Sequence, residues 1–166
     1  AAGRLIKHQG AEFYKVEYDR IGRVFNRYEI AETNGAETYA DADDVAGDIV
    51  LEESQLRYDD EGNVILSATI MRHHNDKGTG ETTGALDANS EGGTGNDLKL
   101  TIGDLAGRAH ISASWYDSLG RLETSATYGT YGDSTFDRDG KSAPSATAST
   151  PQLVLVTKYE YGSDGS

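Results

Sequence analysis

The sequence contains no cysteine, only two prolines and a single tryptophan, and it is short of positive charge. The missing cysteine excludes disulfides, thiolate metal sites and a cysteine nucleophile. The 15 Lys and Arg residues are outnumbered by 28 Asp and Glu residues, so the net charge is −13. This balance argues against a nucleic-acid partner and against binding to an anionic membrane surface. The longest aliphatic runs, residues 64–66 and 153–156, are far too short to cross a bilayer.

Glycine and tyrosine are what the chain has in quantity. Its 166 residues include 20 Gly and 10 Tyr, and the length predicts one domain. An acidic, cysteine-free composition that is rich in glycine and tyrosine favours extracellular or cell-surface β-structure with many turns. We therefore expect residues 1–166 to form a single β-module that is one segment or period of a longer chain.

One motif recurs along the sequence: Tyr, Asp, two variable residues, Gly, a polar residue and an aliphatic residue. It occurs at 18–24, 58–64 and 116–122, with a weaker copy at 136–141. Asp-x-x-Gly is the pattern of a type I turn, in which the Asp side chain accepts backbone N–H bonds and the Gly is left-handed. Each copy therefore predicts a β-hairpin. The predicted structural turn residues are Tyr18, Asp19, Gly22 and Arg23, then Tyr58, Asp59 and Gly62, and then Tyr116, Asp117, Gly120 and Arg121.

The residues that flank these turns alternate in polarity. Before the first turn, Tyr14, Val16 and Tyr18 alternate with Lys15 and Glu17. A period of two indicates a strand with one buried and one solvated face, and it predicts that the two charged residues face water. No segment has a convincing helical period. The sequence thus predicts an all-β fold of antiparallel hairpins.

The same alternation assigns the faces of two further strands. Leu56 and Tyr58 are the apolar positions before the second turn. Leu153, Leu155 and Tyr159 are the apolar positions of the last predicted strand. On this interpretation, each of these sets lies on the buried side of its strand.

Long polar insertions separate the hairpins. Residues 75–97 contain six glycines and almost nothing apolar, and residues 129–151 are similarly rich in Gly, Ser, Thr and Ala. Long loops without structure of their own are uncommon inside a compact domain. We therefore expect both insertions to be flexible excursions from the tips or rims of the hairpins.

The three Tyr-Asp-x-x-Gly-(Arg/Asn)-(Val/Leu) copies resemble the YD repeats of the RHS/YD-repeat family. In that family, YD hairpins lie side by side in a continuous sheet. Large members wind this sheet into a hollow shell around a toxin or other cargo, or build cell-surface proteins such as the teneurins. The resemblance implies a curved, solenoid-like or shell-like sheet and a structural role. This sequence departs from the pattern at Asn63, where the family favours Arg.

The resemblance implies no enzymatic activity for this chain. The family's self-cleaving aspartyl protease lies in a C-terminal core region, and nothing in this sequence matches that region. No catalytic residue is carried over, and no nucleophile, base and orienting group converge in the sequence. We expect a non-enzymatic protein without a resident cofactor.

A calcium-binding or carbohydrate-binding adhesin segment is the alternative function. Asp87, Asn89 and Glu91 imitate the first half of a calcium loop. The twelfth position is Leu98, where the ion needs a bidentate Glu, so this is a weak metal prediction. The tyrosines and Trp115 offer rings for stacking on sugars, although cross-strand pairing explains them more simply.

The two ends of the sequence carry complementary halves of the motif. Gly3, Arg4 and Leu5 repeat its second half, and Tyr159 and Tyr161 belong to a copy of its first half. We therefore predict that the last strand of one unit pairs with the first strand of the next, head to tail. The pattern leaves open a covalent tandem array, a non-covalent filament or tube, and a fragment of a toxin-encapsulating shell. The assembly residues are Gly3, Arg4, Leu5, Leu153, Leu155, Tyr159 and Tyr161.

Overall fold

The computed structural model describes residues 4–7, 13–32, 44–74, 83–87, 99–102, 105–130, 135–138, 142–144 and 154–162. These residues contain ten β-strands and no α-helix. The strands are β1 (Arg4–Lys7), β2 (Phe13–Tyr18), β3 (Val24–Glu32), β4 (Ile49–Tyr58), β5 (Val64–Arg72), β6 (Lys99–Thr101), β7 (Gly107–Tyr116), β8 (Leu122–Thr130), β9 (Thr135–Asp137) and β10 (Leu155–Lys158).

Eight strands form one antiparallel sheet in the order β1-β2-β3-β4-β5-β7-β8-β10, and β6 pairs with β9 in a separate ribbon. The pairs β2–β3, β4–β5 and β7–β8 are hairpins that close at the three Asp-x-x-Gly turns. The predicted all-β, antiparallel fold is confirmed. The finer prediction of a solenoid-like or shell-like sheet is not confirmed, because among the described strands no sheet closes or curls.

The hydrophobic core covers one face of the sheet around β3, β4, β5, β7 and β8. Small side chains lie at the centre of the sheet: Ala68 lies opposite Ile111, and Ala113 opposite Ala126. Gly107 begins β7 where an added Cβ would lie 2.5 Å from the Met71 carbonyl oxygen, so only glycine fits there. The buried apolar cluster consists of Tyr28, Ile30, Val45, Val50, Leu66, Ala68, Ile70, Leu86, Leu100, Leu105, Ala109, Ile111, Ala113, Ala126, Tyr128 and Phe136.

Parts of both polar insertions belong to this core, which corrects their interpretation as excursions from the hairpin tips. In the insertion at residues 75–97, Leu86 is buried against the sheet. In the insertion at 129–151, β9 carries the fully buried Phe136, whose ring meets Tyr128 edge-on with centroids 4.9 Å apart. These apolar residues cover a face that would otherwise be exposed. Residues 75–82, 88–97, 131–134, 139–141 and 145–151 of these insertions lie outside the described part of the chain.

Strand β2 buries the face that was predicted to be solvated. Lys15 and Glu17 are only 2% and 9% exposed, and Lys15 lies opposite Tyr28 on the core side of β3. Tyr14 lies on the other face, half-buried, with the Arg27 guanidinium 4.4 Å from its ring centroid. The prediction was wrong because the core side supplies polar partners for the charged residues, and these partners come from distant parts of the chain.

The partner of Lys15 is a buried carboxylate. Its Nζ lies 2.7 Å from Oδ2 of Asp48, whose side chain is fully buried, and it donates a 2.8 Å hydrogen bond to the Asp44 carbonyl. An isolated buried charge is strongly unfavourable, whereas a paired and hydrogen-bonded one is tolerated. The ion pair therefore fixes the segment before β4 across the face of β2.

The polar side chains of one face of β4 are also buried against the core. The prediction that Leu56 and Tyr58 lie on the buried face of β4 is therefore wrong in part. Leu56 is only half-buried, while Glu53, Gln55 and Arg57 are 4% exposed or less. Arg57 donates hydrogen bonds to Oδ1 of Asn26 and Oε1 of Gln55, at 3.0 and 3.2 Å. Buried polar groups of this kind must be paired to be tolerated.

Glu53 fastens the segment at residues 83–87 to the sheet. Its Oε2 accepts the backbone N–H groups of Leu86 and Asp87 at 2.8 and 3.0 Å. Its Oε1 accepts Nε2 of Gln55 at 2.7 Å, and the same Nε2 donates to Oδ2 of Asp87 at 3.0 Å. Both oxygens of the Glu53 carboxylate therefore accept hydrogen bonds. The two bonds to the backbone of residues 86 and 87 hold the apolar Leu86 over the core.

The last strand faces the opposite way from the prediction. Leu155 and Tyr159 are 72% and 42% exposed, whereas Val154 and Val156 pack against the core. A shift of one residue moves every side chain of a strand to the other face, and here it places the valines inside. Leu153 lies outside the described residues.

Candidate functional site: the row of turns and the sheet edges

The first turn shows how the motif builds its local structure. The Gly22 N–H donates to the Asp19 carbonyl at 3.1 Å, and Oδ1 of Asp19 accepts the N–H groups of Ile21 and Arg23 at 3.0 and 2.8 Å. Gly22 has a φ of +87°, a conformation in which a side chain is strained. Oδ2 of Asp19 also accepts Nε of Arg23 at 2.6 Å, so the carboxylate organises the whole turn.

The other two turns repeat this arrangement. Oδ1 of Asp117 accepts the N–H groups of Leu119 and Arg121, both at 2.9 Å, and Nε of Arg121 donates to Oδ2 at 2.8 Å. In the second turn the amide of Asn63 takes the place of the guanidinium and donates to Oδ2 of Asp59 at 2.9 Å. The turn glycines Gly62 and Gly120 have φ values of +93° and +74°.

Each turn is joined to the next repeat by a tyrosine. The Tyr58 hydroxyl donates to the Val24 carbonyl at 2.8 Å, and the Arg23 guanidinium lies 4.2 Å from the centroid of the Tyr58 ring. The cation of one turn is therefore held between its own Asp19 carboxylate and the ring of the following repeat. A cation–π contact of this kind contributes about 0.5–1 kcal/mol at an exposed site.

The same link recurs along the row and extends to the last described segment. The Tyr116 hydroxyl donates to the Val64 carbonyl at 3.1 Å, and the Tyr161 hydroxyl donates to the Leu122 carbonyl at 2.8 Å. The Arg121 guanidinium lies 4.3 Å from the Tyr161 ring centroid. Tyr161 thus occupies the position of a motif tyrosine.

The sequence pattern predicts that this last half-motif begins at Tyr159. The contacts instead give Tyr161 the position of the motif tyrosine. A signal for this was present in the sequence. Gly165 follows Tyr161 by four residues, as Gly22 follows Tyr18. The residue after Tyr161 is Gly162, not Asp, and this difference concealed the alignment.

The carboxylates of the first and third turns, Asp19 and Asp117, have depressed pKa values. Partial desolvation acts to raise the pKa of Asp19, but the hydrogen bonds from the Arg23 side chain and from the backbone of Arg23 and Ile21 outweigh it and lower the pKa. For Asp117, the backbone hydrogen bond from Arg121 is the largest cause of the lowered pKa. The pKa of the Tyr58 hydroxyl is raised, chiefly by burial. Asp19 and Asp117 are therefore ionised at neutral pH and hold Arg23 and Arg121 as ion pairs.

We expect these carboxylates to give the fold an acid-sensitive contribution to stability. A folded-state pKa below the unfolded value means that the contribution is complete above the ordinary pKa of 3.8 and is lost as the pH falls through the lowered value. The double variant Asp19→Asn/Asp117→Asn keeps an oxygen for the turn N–H groups but does not titrate. Urea unfolding at about pH 7, 4 and 2.5 should show a smaller loss for this variant than for the wild type. Identical losses would show that the turn aspartates do not carry the effect.

A cavity opens on the described surface beside the second turn. A space of about 300 Å³ lies between the second and third turns. Its lining includes Asp59, Asn63, Tyr116, Trp115 and Arg138. It opens beside the one turn of the three that lacks an arginine.

The predicted assembly residues lie at the two edges of the large sheet. Arg4 and Leu5 are in β1, which pairs with β2, and Leu155 is in β10, which pairs with β8. Among the described strands, neither β1 nor β10 has a partner on its outer side. Tyr159 and Tyr161 continue beyond β10, and the Tyr159 N–H donates to the Glu123 carbonyl at 3.0 Å. Gly3 lies outside the described residues.

The weak calcium prediction falls mainly on undescribed residues. Asp87 is buried and hydrogen-bonded to Gln55, whereas Asn89 and Glu91 lie outside the described part of the chain. Within the described ranges, no group of three or more His, Asp or Glu residues is placed to hold a metal ion. In the same ranges, no helix has the length and apolarity needed to span a membrane.

Comparison with known proteins gives no relative for this chain. No protein-family model and no curated protein matches the sequence, and no solved structure matches it. What this protein does must therefore be inferred from its own residues.

Proposed function

We propose that this protein is a non-enzymatic structural module that assembles head to tail: β10 and the segment that continues it to Tyr161, in one copy or repeat, pair with β1 of the next. One observation carries the proposal. At the β10 edge, Tyr161 makes with the third turn the same two contacts that Tyr58 makes with the first turn. That edge therefore ends in the first strand of a hairpin whose second strand is supplied by a neighbour.

The hydrogen-bonding groups of β10 favour such an addition. The Tyr159 N–H is directed at β8, and N–H groups alternate along an antiparallel strand. The N–H groups of Val156 and Lys158 consequently point away from the sheet. An edge strand with unpaired N–H and C=O groups is a template for another strand, and natural proteins usually block it. Here Leu155 adds an exposed apolar side chain to the same edge.

The motif also specifies a register for the contact. In the first hairpin, Glu17 precedes the motif tyrosine and pairs with Asn26, two residues after the aliphatic position. If Tyr161 and Leu5 take the tyrosine and aliphatic positions of the new hairpin, Glu160 pairs with Lys7. Opposite charges on directly paired residues stabilise a sheet, so this register is electrostatically favourable.

A contact of this kind joins different surfaces of identical units. Such heterologous contacts give an open filament or tube, or a closed ring or shell if the rotation closes. The motif supports an assembly of the RHS/YD-repeat type. In such an assembly the same strand pairing joins successive repeats of one covalent array, or successive hairpins in the wall of a shell. The excess of acidic residues keeps such a polymer soluble, and we place it at the cell surface or outside the cell.

A proline at the outer edge tests the proposal. Lys158→Pro removes the outward N–H group two residues before Glu160, next to the proposed Glu160–Lys7 pair, and leaves the hydrogen bonds of β10 to β8 in place. Light scattering of the wild type over a concentration series should show a mass that rises without a plateau, and the variant should remain close to the monomer mass. The matched control Lys158→Thr keeps the N–H group and should assemble like the wild type. Assembly of the proline variant to the same mass would contradict strand pairing at this edge.

A further inference from the structure

The second turn is the exception in the row. In the first turn, the Arg23 guanidinium lies between the Asp19 carboxylate and the Tyr58 ring. Asn63 holds the corresponding place in the second turn, and its amide is neutral and shorter. It reproduces the bond to the turn carboxylate but places no positive charge over the ring of the next repeat.

The ring that lacks this cation is nevertheless positioned as if to receive one. Tyr116 makes the same hydroxyl bond to the preceding repeat as Tyr58 does, to the Val64 carbonyl at 3.1 Å. Among the described residues, no arginine or lysine stacks on Tyr116. The cavity of about 300 Å³ lies here, with Tyr116 and Asn63 in its lining. The cavity is therefore the space that an arginine fills in the other two repeats.

The chemistry of the lining is that of a cation site. Three acidic residues, Asp59, Glu61 and Asp117, are in the lining of the cavity. Arg138 forms one wall, but its guanidinium is engaged elsewhere: it lies 4.4 Å from the Trp115 ring centroid and donates to the Ser114 carbonyl. Asp117 is paired with Arg121, so the carboxylates of the lining that have no arginine partner in their own turn are those of Asp59 and Glu61, beside the Tyr116 ring. This combination disfavours an anion and suits a planar cation.

We propose that this cavity binds the guanidinium group of an arginine side chain supplied by another polypeptide. A guanidinium stacks on a tyrosine ring while it donates in-plane hydrogen bonds to carboxylates, as Arg23 and Arg121 do within this chain. The net charge of −13 favours the approach of a basic partner. The site lies on the turn side of the sheet, away from the outer edges of β1 and β10, so it is independent of the head-to-tail contact.

The single tryptophan provides the readout, because Trp115 lines the cavity. Titration of the protein with N-acetyl-arginine amide should change its fluorescence in a saturable way. N-acetyl-citrulline amide has the same shape without the charge, and it should bind at least tenfold more weakly. The variant Asn63→Arg should fill the cavity from within, abolish binding of the arginine probe and raise Tm by about 2 °C. Equal binding of the two probes would overturn the proposal.

A second variant keeps the test decisive if Asn63→Arg does not fold. Glu61 is exposed at the turn, so Glu61→Gln leaves the fold intact and removes one carboxylate from the cavity. It should weaken binding of the arginine probe at least threefold and leave citrulline binding unchanged. Unchanged arginine binding in this variant, or retained binding in Asn63→Arg, would contradict the site. Dilution of the wild type without probe identifies the polypeptide that supplies the arginine. Trp115 fluorescence that changes with protein concentration assigns the arginine to a second copy of this chain. Fluorescence that stays constant assigns it to a different polypeptide.

Discussion

Replacing Lys15 with methionine should lower the free energy of unfolding by about 3–5 kcal/mol. The ammonium of Lys15 lies 2.7 Å from Oδ2 of Asp48, and the two side chains are 2% and 0% exposed. Methionine fills a similar volume but leaves the Asp48 carboxylate buried without its cation. The Asp44 carbonyl also loses a donor. Chemical unfolding in urea measures the change.

Two further variants separate the ion pair from general effects. Lys99 is exposed, so Lys99→Met should change the free energy of unfolding by no more than about 0.5 kcal/mol. The double variant Lys15→Met/Asp48→Leu removes both charges and should recover most of the lost stability, because replacing a buried pair by apolar groups is often neutral. A double variant as unstable as Lys15→Met alone would show that the loss comes from packing and not from an unpaired charge.

Glu53→Gln should cost about 2–3 kcal/mol, although it changes the side chain by one atom type. Both oxygens of Glu53 accept hydrogen bonds: Oε2 from the N–H groups of Leu86 and Asp87, and Oε1 from Nε2 of Gln55. A glutamine has one oxygen and one NH₂ group, so its NH₂ must face a buried donor in either orientation. Each buried donor left without an acceptor costs about 1–3 kcal/mol.

The matched control for this variant is the neighbouring residue. Glu52 is half-buried on the other face of β4, and Glu52→Gln should leave stability within about 0.5 kcal/mol of the wild type. Hydrogen exchange adds a local readout, since the amides of Leu86 and Asp87 should lose protection in Glu53→Gln only. Unchanged protection at both amides would contradict the assigned role of the carboxylate.

The hairpins were predictable because their signals are local. Asp19, the glycine three residues later and the alternating flanks are enough to specify a turn and two antiparallel strands. The same local chemistry recurs at Asp59 and Asp117, so the sequence predicts three hairpins and their neighbours in a sheet. Nothing in this step requires contacts between distant residues.

The choice of buried face was not predictable on β2. Alternation divides a strand into two faces, but it identifies the core only when one face is clearly apolar. On β2 both faces carry partners: Tyr14 meets Arg27 on one side, and Lys15 meets Asp48 on the other. Asp48 is 33 residues away in the sequence (48 − 15), so no local pattern reveals the ion pair.

The burial of Leu86 and Phe136 against the core was not predictable for a related reason. Leu86 and Phe136 lie in glycine-rich and serine-rich stretches whose composition indicates solvated loops. Each is an isolated apolar residue in a polar segment, and this is the only signal the sequence offers. Their burial depends on Glu53 and Tyr128, which belong to other strands.

Cysteine cross-linking between copies tests the head-to-tail assembly most directly. The chain has no native cysteine, so Lys7→Cys and Glu160→Cys each introduce the only thiol. In the proposed register these positions are directly paired, at a Cα separation of about 5.5 Å that suits a disulfide. Oxidation of an equal mixture should give a heterodimer in large excess over both homodimers, and adding Lys158→Pro to the Glu160→Cys chain should remove it. A heterodimer no more abundant than the two homodimers together would contradict pairing between β10 and β1.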